Sequence, residues 1–432
     1  MTQELKPEEF TFEHRDEFER RPFAERLIQL ILSEHDFFPL AITGQWGTGK
    51  TEFCKKTVHL INEQHNNTLI AEYLNAFSED SYNDPLLSIT STICKTFIKD
   101  ESRKGEYLKK FAKVLIPHLG ASALKVFFPS LTTVIDGAKD AIVHNIENIQ
   151  QNLENRSKIE SSIKELKELV KEVSNGKPFV LFIDELDRCK PDFALHTLEV
   201  VKHIFDTENL KIIFVINKEQ LVEIIKHSYG NNEEIAERYL DKFFQIHLKL
   251  PEYTKSNNEQ IQNSVKYLDQ EFSSKNIFNL PLFDEGPYFK TKRENSQVAH
   301  LLRELTEYYH LSLRDIEKLS KYLLVYFQIS SSGNSKLIAF SLIEAYAIFH
   351  FTFNKTVFQN FKANLPALAN CNDLKTSESN TSSRVFARSL LHRFFYDPDD
   401  SRRYNYVGNS TVEDRLKFLN ETLFKLDNLF LQ

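Results

Sequence analysis

The feature that most constrains this chain is the octapeptide Gly44-Gln45-Trp46-Gly47-Thr48-Gly49-Lys50-Thr51. It fits the pattern G-x-x-x-x-G-K-[ST] at every fixed position, follows the apolar run Pro39 to Thr43, and precedes a helical pattern from Glu52 to Glu63. Glycine is scarce, 11 in 432 residues, yet three fall within these eight positions. Such a loop curls around an anion, because glycine supplies positive φ and lets backbone N–H groups converge where a Cβ would collide. A helix starting near Gly49 adds its free N–H groups and its dipole. Gly44 through Thr51, with Glu52 behind them, are therefore expected to hold a nucleoside triphosphate. Lys50 is expected to reach the β- and γ-phosphates, and the Thr51 hydroxyl to complete the coordination of Mg²⁺.

The surrounding pattern is that of an α/β protein. Thr68 to Asn75 reads as a second strand, and Leu86 to Phe97 as a helix. Phe179 to Asp184 and Lys211 to Asn217 are apolar runs that end in a polar residue, the form of parallel strands covered on both faces. Phe244 to Leu250 supplies a fifth strand, after helices from Lys218 to His227 and up to Leu240. Strands alternating with helices predict a doubly wound parallel sheet.

Ligands bind outside the carboxyl ends of such strands, which makes Asp184 and Glu185 the next candidates. Asp184 is assigned to Mg²⁺ and Glu185 to the general base that orients and deprotonates the attacking water. Asn217 can contact the γ-phosphate or the lytic water, or instead cap the following helix. A cation on the developing charge is expected from Arg238 or Arg314; for Arg238 the alternative is a surface salt bridge.

Three regions divide the chain. Residues 1–19 read as a polar lead-in, 20–251 as the nucleotide-binding core interrupted by a helical insertion at about 78–176, and 252–432 as a helical C-terminal region. Arg20 and Arg21 read as a solvated helix start, and Thr254 to Asn263 as a linker. Within the insertion, Val114 to Ile135 carries one formal charge, Lys125. That length could span a bilayer, but Lys125, Pro117, Pro129 and Gly120 make a buried or interfacial hairpin the preferred reading. Residues 157–173 form an amphipathic pattern expected to pack on the chain's own core. Asn372 to Ser383 reads as a polar loop.

Net charge is −7, which weighs against a whole-molecule nucleic-acid binder. Four widely spaced cysteines and a polar, acidic N-terminus point to a reduced, cytoplasmic setting, with membrane association conceivable only through 114–135.

Taken together, the chain resembles the KAP P-loop NTPases. The resemblance rests on Arg-Arg-Pro-Phe-Ala-Glu at 20–25, the loop through Phe53, Asn75-Ala76-Phe77, Asp84-Pro85-Leu86 and Phe182-Ile183-Asp184-Glu185-Leu186-Asp187-Arg188-Cys189. It continues through Asn217 to Leu221, Tyr239 to Gln245 and Leu313-Arg314-Asp315. It implies a strand inserted between the phosphate-loop strand and the Asp184 strand, with Asn217 beside the γ-phosphate, and it supports Arg314. It also implies links to bacterial phage exclusion and membrane-associated signalling assemblies. The chain departs from the family in having Asp-Glu for two aspartates, Asn217 for aspartate and Phe77 for tryptophan. The expected function is an ATP-hydrolysing switch with protein partners and a nucleotide-dependent oligomer. The alternatives are a nucleotide-stabilised assembly scaffold and a nucleic-acid-responsive ATPase.

Overall fold

The computed structural model describes residues 11–33, 37–97, 106–107, 110–111, 167–204, 209–229, 232–244, 246–256, 259–284, 292–329 and 338–353. It also describes five helical positions between 418 and 426. The apolar stretch 114–135, most of the pattern at 157–173 and the loop 372–383 lie outside the described residues.

Two compact units result, Met1–Pro251 and Glu252–Gln432. The first contains α1 (Arg21–Leu32), β1 (Leu40–Thr43), α2 (Lys50–Gln64), β2 (Ile70–Asn75), α3 (Ala76–Glu79) and α4 (Pro85–Phe97). It continues with β3 (Phe179–Asp184), α5 (Pro191–Ile204), β4 (Leu210–Ile216), α6 (Lys218–Tyr229), α7 (Glu233–Leu240) and β5 (Ile246–Lys249).

The five strands form one sheet in the order β2-β3-β4-β1-β5, every pairing parallel. Strand periodicity explains why the central strands β3 and β4 are apolar apart from Asp184 and Lys211. Phe179, Leu181 and Ile183 of β3, with Leu210, Ile212, Phe214 and Ile216 of β4, enter one core. Val180 and Phe182, with Ile213 and Val215, enter the core on the opposite face with Leu40 and Ile42 of β1. Helices cover both faces, so neither residue parity reaches water. The order places β4, the strand that runs into Asn217, between β1 and β3, as the family resemblance implies.

The start of this unit differs from the sequence expectation. Phe12 and Phe18 are buried, and Arg20 is only 5% exposed. The Arg20 guanidinium donates to the Pro251 carbonyl at 3.0 Å and stacks over the Phe18 ring. Asp16 accepts from the Arg20 and Arg21 backbone N–H groups at 2.8 and 3.0 Å, which satisfies donors at the start of α1. Local charge suggested a solvated arginine pair; tertiary packing buries one of them and leaves Arg21 to Glu13 and Glu25. At the other end of α1, Lys211 from β4 donates to the Ile31 carbonyl at 2.6 Å, filling an acceptor the helix leaves open.

The second unit opens with a hairpin, β6 (Tyr253–Ser256) paired antiparallel to β7 (Glu259–Gln262), where a linker was expected. Its polar alternation is that of a small two-stranded ribbon rather than of a buried strand. Helices α8 (Asn263–Ser274), α9 (Gln297–Tyr308), α10 (Leu313–Ile329) and α11 (Ile338–Phe353) follow, around a core that includes Phe272, Phe283, Leu302, Leu319 and Phe349. Ser312 and Asp315 bond reciprocally at the start of α10, a capping box that sets Arg314, itself exposed, on its first turn. Among the described residues, no helix is long and apolar enough to cross a membrane.

Candidate functional site

The octapeptide joins β1 to α2 in this sheet. Gly47 (φ 74°) and Gly49 (φ 82°) occupy the left-handed region that lets the loop curl, and Gly49 stands directly before α2. Gly44 serves the loop through its small size. A Cβ there would lie 3.1 Å from the Thr48 hydroxyl, so the loop closes tightly over it. The Gly44 N–H donates to the Ile216 carbonyl at 3.3 Å, which ties the loop to the end of β4.

Lys50 is buried, 8% exposed, and its ammonium donates to the carbonyls of Gly44 at 2.7 Å and Gln45 at 2.9 Å. Burial lowers its pKa, opposed by the negative charges of Asp187 and Asp184. The Thr51 hydroxyl donates to Asp184 Oδ2 at 2.6 Å, and the Tyr73 hydroxyl reaches the same oxygen at 3.0 Å. The Glu185 N–H donates to Asp184 Oδ1 at 2.8 Å. Burial nevertheless holds the Asp184 carboxylate above the usual range, the three hydrogen bonds opposing the rise.

Glu185 takes a left-handed backbone (φ 62°) at the start of a tight turn, Leu186–Arg188. Its carboxylate accepts from Asn75 at 3.1 Å and pairs with Arg188 at 2.9 Å. Asn75 lies in register with Asp184 across the β2–β3 pairing. Its side-chain oxygen accepts from the Ser78 N–H and caps α3, which turns its amide NH₂ toward Glu185. Asn217, 7% exposed, donates to the Gln45 side chain of the loop at 3.3 Å. Trp46 donates its indole N–H to Asp187 at 2.6 Å.

Loop, Thr51, Asp184, Glu185 and Asn217 are thus brought together at the carboxyl ends of β1, β3 and β4. Other expected residues are engaged differently. Glu52 faces the lead-in, paired with Lys56 at 2.8 Å and with Arg15 at 3.6 Å. Arg238 is 76% exposed at its side chain and pairs with Glu234 one turn away on α7. Arg314 belongs to the second unit. Tyr73, Asn75, Asp187 and Arg188 join the site although no role was expected of them. The signal in β2 was a pair of polar side chains at i and i+2, which share one face of a strand.

The donors suit a magnesium ion. A threonine hydroxyl and an adjacent carboxylate are hard oxygen ligands, and Mg²⁺ takes few of them, keeping water and phosphate oxygens for the rest. Among the described residues, no group of three or more His, Cys, Asp or Glu is arranged to hold a metal ion.

A sheet with this strand order, a glycine loop opening a helix and a carboxylate at the end of β3, one strand removed from the loop strand, define a P-loop nucleoside triphosphatase. The KAP family P-loop domain model matches residues 20–329, and the chain belongs to that family. No individual curated protein matches it.

The raised Asp184 carboxylate gives a testable consequence. A carboxylate raised on folding favours the folded chain fully at low pH, and loses that contribution as pH climbs through its folded value. At neutral pH its charge is a net cost to the ligand-free protein. The melting temperature of the ligand-free parent is therefore expected to fall as pH climbs through that value, a fall that Asp184→Asn should remove. The same variant should lose the rise that nucleotide and Mg²⁺ give the parent, a comparison that thermal melts at pH 7 would make.

Proposed function

We propose that this protein binds ATP with Mg²⁺ and hydrolyses it as a regulatory switch. The observation that carries the reading is the Thr51–Asp184 bond at 2.6 Å, with Glu185 next in the chain at the mouth of the loop. In this reading Lys50 gives up the Gly44 and Gln45 carbonyls and turns its ammonium to the β- and γ-phosphates. Gly47, Thr48 and Gly49 present backbone N–H groups to the same anion. Glu185 takes the proton of the attacking water as its oxygen adds to the γ-phosphorus and the bond to the β-phosphate oxygen breaks. Asn217, held at Gln45, senses the γ-phosphate. Mg²⁺ at Thr51 and Asp184 would neutralise charge on the β- and γ-oxygens.

Arg238 is taken by Glu234 and Arg188 by Glu185, which supports a transition-state cation from elsewhere, Arg314 or a second copy. A nucleotide-dependent oligomer follows from the second case. The helical second unit and the insertion are the proposed output surfaces, toward protein partners of a cytoplasmic anti-phage defence assembly. The defence role rests on the family resemblance alone. The preference for adenine likewise rests on the family resemblance, since the sequence carries no base-reading motif such as N-K-x-D to choose the base.

Turnover of ATP and GTP, measured beside sizing of the protein with and without ATP and Mg²⁺, tests this. The expected result is ATP turnover above that of GTP, and an oligomer that Glu185→Gln prolongs. An oligomer indifferent to Glu185→Gln, with negligible turnover in the parent, would favour an assembly scaffold instead.

A further inference from the structure

The turn after β3 carries contacts that the hydrolytic reading leaves unused. Leu186 is fully buried and anchors it, while two backbone bonds close it, Arg188 N–H to the Glu185 carbonyl at 3.1 Å and Cys189 N–H to the Leu186 carbonyl at 3.2 Å. From this anchor Arg188 turns back to the Glu185 carboxylate, and Asp187 reaches the phosphate loop. Asp187 is 4% exposed, so its carboxylate needs partners inside the protein. One partner is the indole N–H of Trp46, at 2.6 Å. Trp46 is the chain's single tryptophan and is 44% exposed. Indole has one polar atom, a donor, so this bond fixes the ring's orientation.

We propose that the 185–188 turn is a mechanical link between the phosphate loop and the hydrolytic carboxylate, with Trp46, Asp187 and Arg188 as positioning residues. Asp187 holds the loop end through Trp46, and Arg188 holds Glu185. A triphosphate that fills the loop fixes Trp46, Trp46 fixes Asp187, and the anchored turn delivers that position to Glu185. Hydrolysis thereby waits on a correctly filled loop. The proposal rests on Glu185 being the general base.

Trp46→Phe tests the link, since it removes the donor, keeps an aromatic ring and alters a half-exposed site. The expected result is a kcat lowered about tenfold, for one lost bond to a charged acceptor, with nucleotide affinity within about threefold of the parent. In a Glu185→Gln background the same change should have no further effect on the single-turnover rate, because the carboxylate that the link positions is gone. An unchanged kcat, a loss expressed in affinity alone, or a loss that multiplies undiminished with Glu185→Gln would each overturn the link. Failure of the base reading looks different: Glu185→Gln alone would then hydrolyse ATP at the parent rate.

Discussion

Lys50→Ala is expected to weaken nucleotide binding by about 10²–10³-fold, equivalent to roughly 3–4 kcal/mol. The figure follows from losing about two hydrogen bonds from a cation to phosphate, each worth about 1.5–3 kcal/mol. The ligand-free fold should tolerate the change. Lys50 is buried against its own loop, and the desolvation that lowers its pKa is a cost that alanine removes along with the bonds to Gly44 and Gln45. Thermal melts separate the two effects. Nucleotide at about a hundred times its dissociation constant stabilises the parent by about 2.7 kcal/mol, whereas the variant at the same concentration should scarcely shift. A variant that melts as the parent does, with and without nucleotide, would remove Lys50 from the binding site.

Much of this first unit was legible in the sequence because its signals are local. The phosphate loop is one contiguous pattern, and strands buried on both faces write themselves as unbroken apolar runs, as in Phe179 to Ile183. The position of β4 came from the family resemblance, since strand order is a property of chain crossings that no single run records. The residues missed are those whose role depends on register or on a distant partner. Asn75 matters because it stands level with Asp184 on the next strand, and Trp46 because Asp187, 141 positions away, accepts its N–H. Arg20 was misread for the same reason: its partners are Phe18 and the carbonyl of Pro251, and the second lies far along the chain. The hairpin at Tyr253–Gln262 escaped because a short polar ribbon carries neither an apolar run nor a glycine turn. Sequence reasoning thus named the residues proposed to touch phosphate and overlooked those bonded to them from a distance.

Glu185→Gln is expected to leave nucleotide affinity nearly intact while lowering kcat by about 10²–10⁴-fold, the range for loss of a general base. Affinity should survive because Lys50, the loop N–H groups and the Thr51–Asp184 pair are untouched. Rate should fall because an amide cannot accept the water's proton, and because its geometry is compromised as well. The carboxylate now accepts from both Asn75 and Arg188, whereas a glutamine offers one oxygen to these two donors and must turn its NH₂ toward the other. Single-turnover measurements with saturating protein would show bound ATP persisting in the variant. The neighbouring carboxylate should give the opposite division: Asp184→Asn weakens the hold on Mg²⁺ and its nucleotide, so its loss appears in affinity first. If both variants lost affinity alike, the two carboxylates would share one metal-binding role and the base would have to be sought elsewhere. If Glu185→Gln alone kept its affinity and lost its rate, the division of labour between adjacent residues would stand, with Asp184 facing the cation and Glu185 the water.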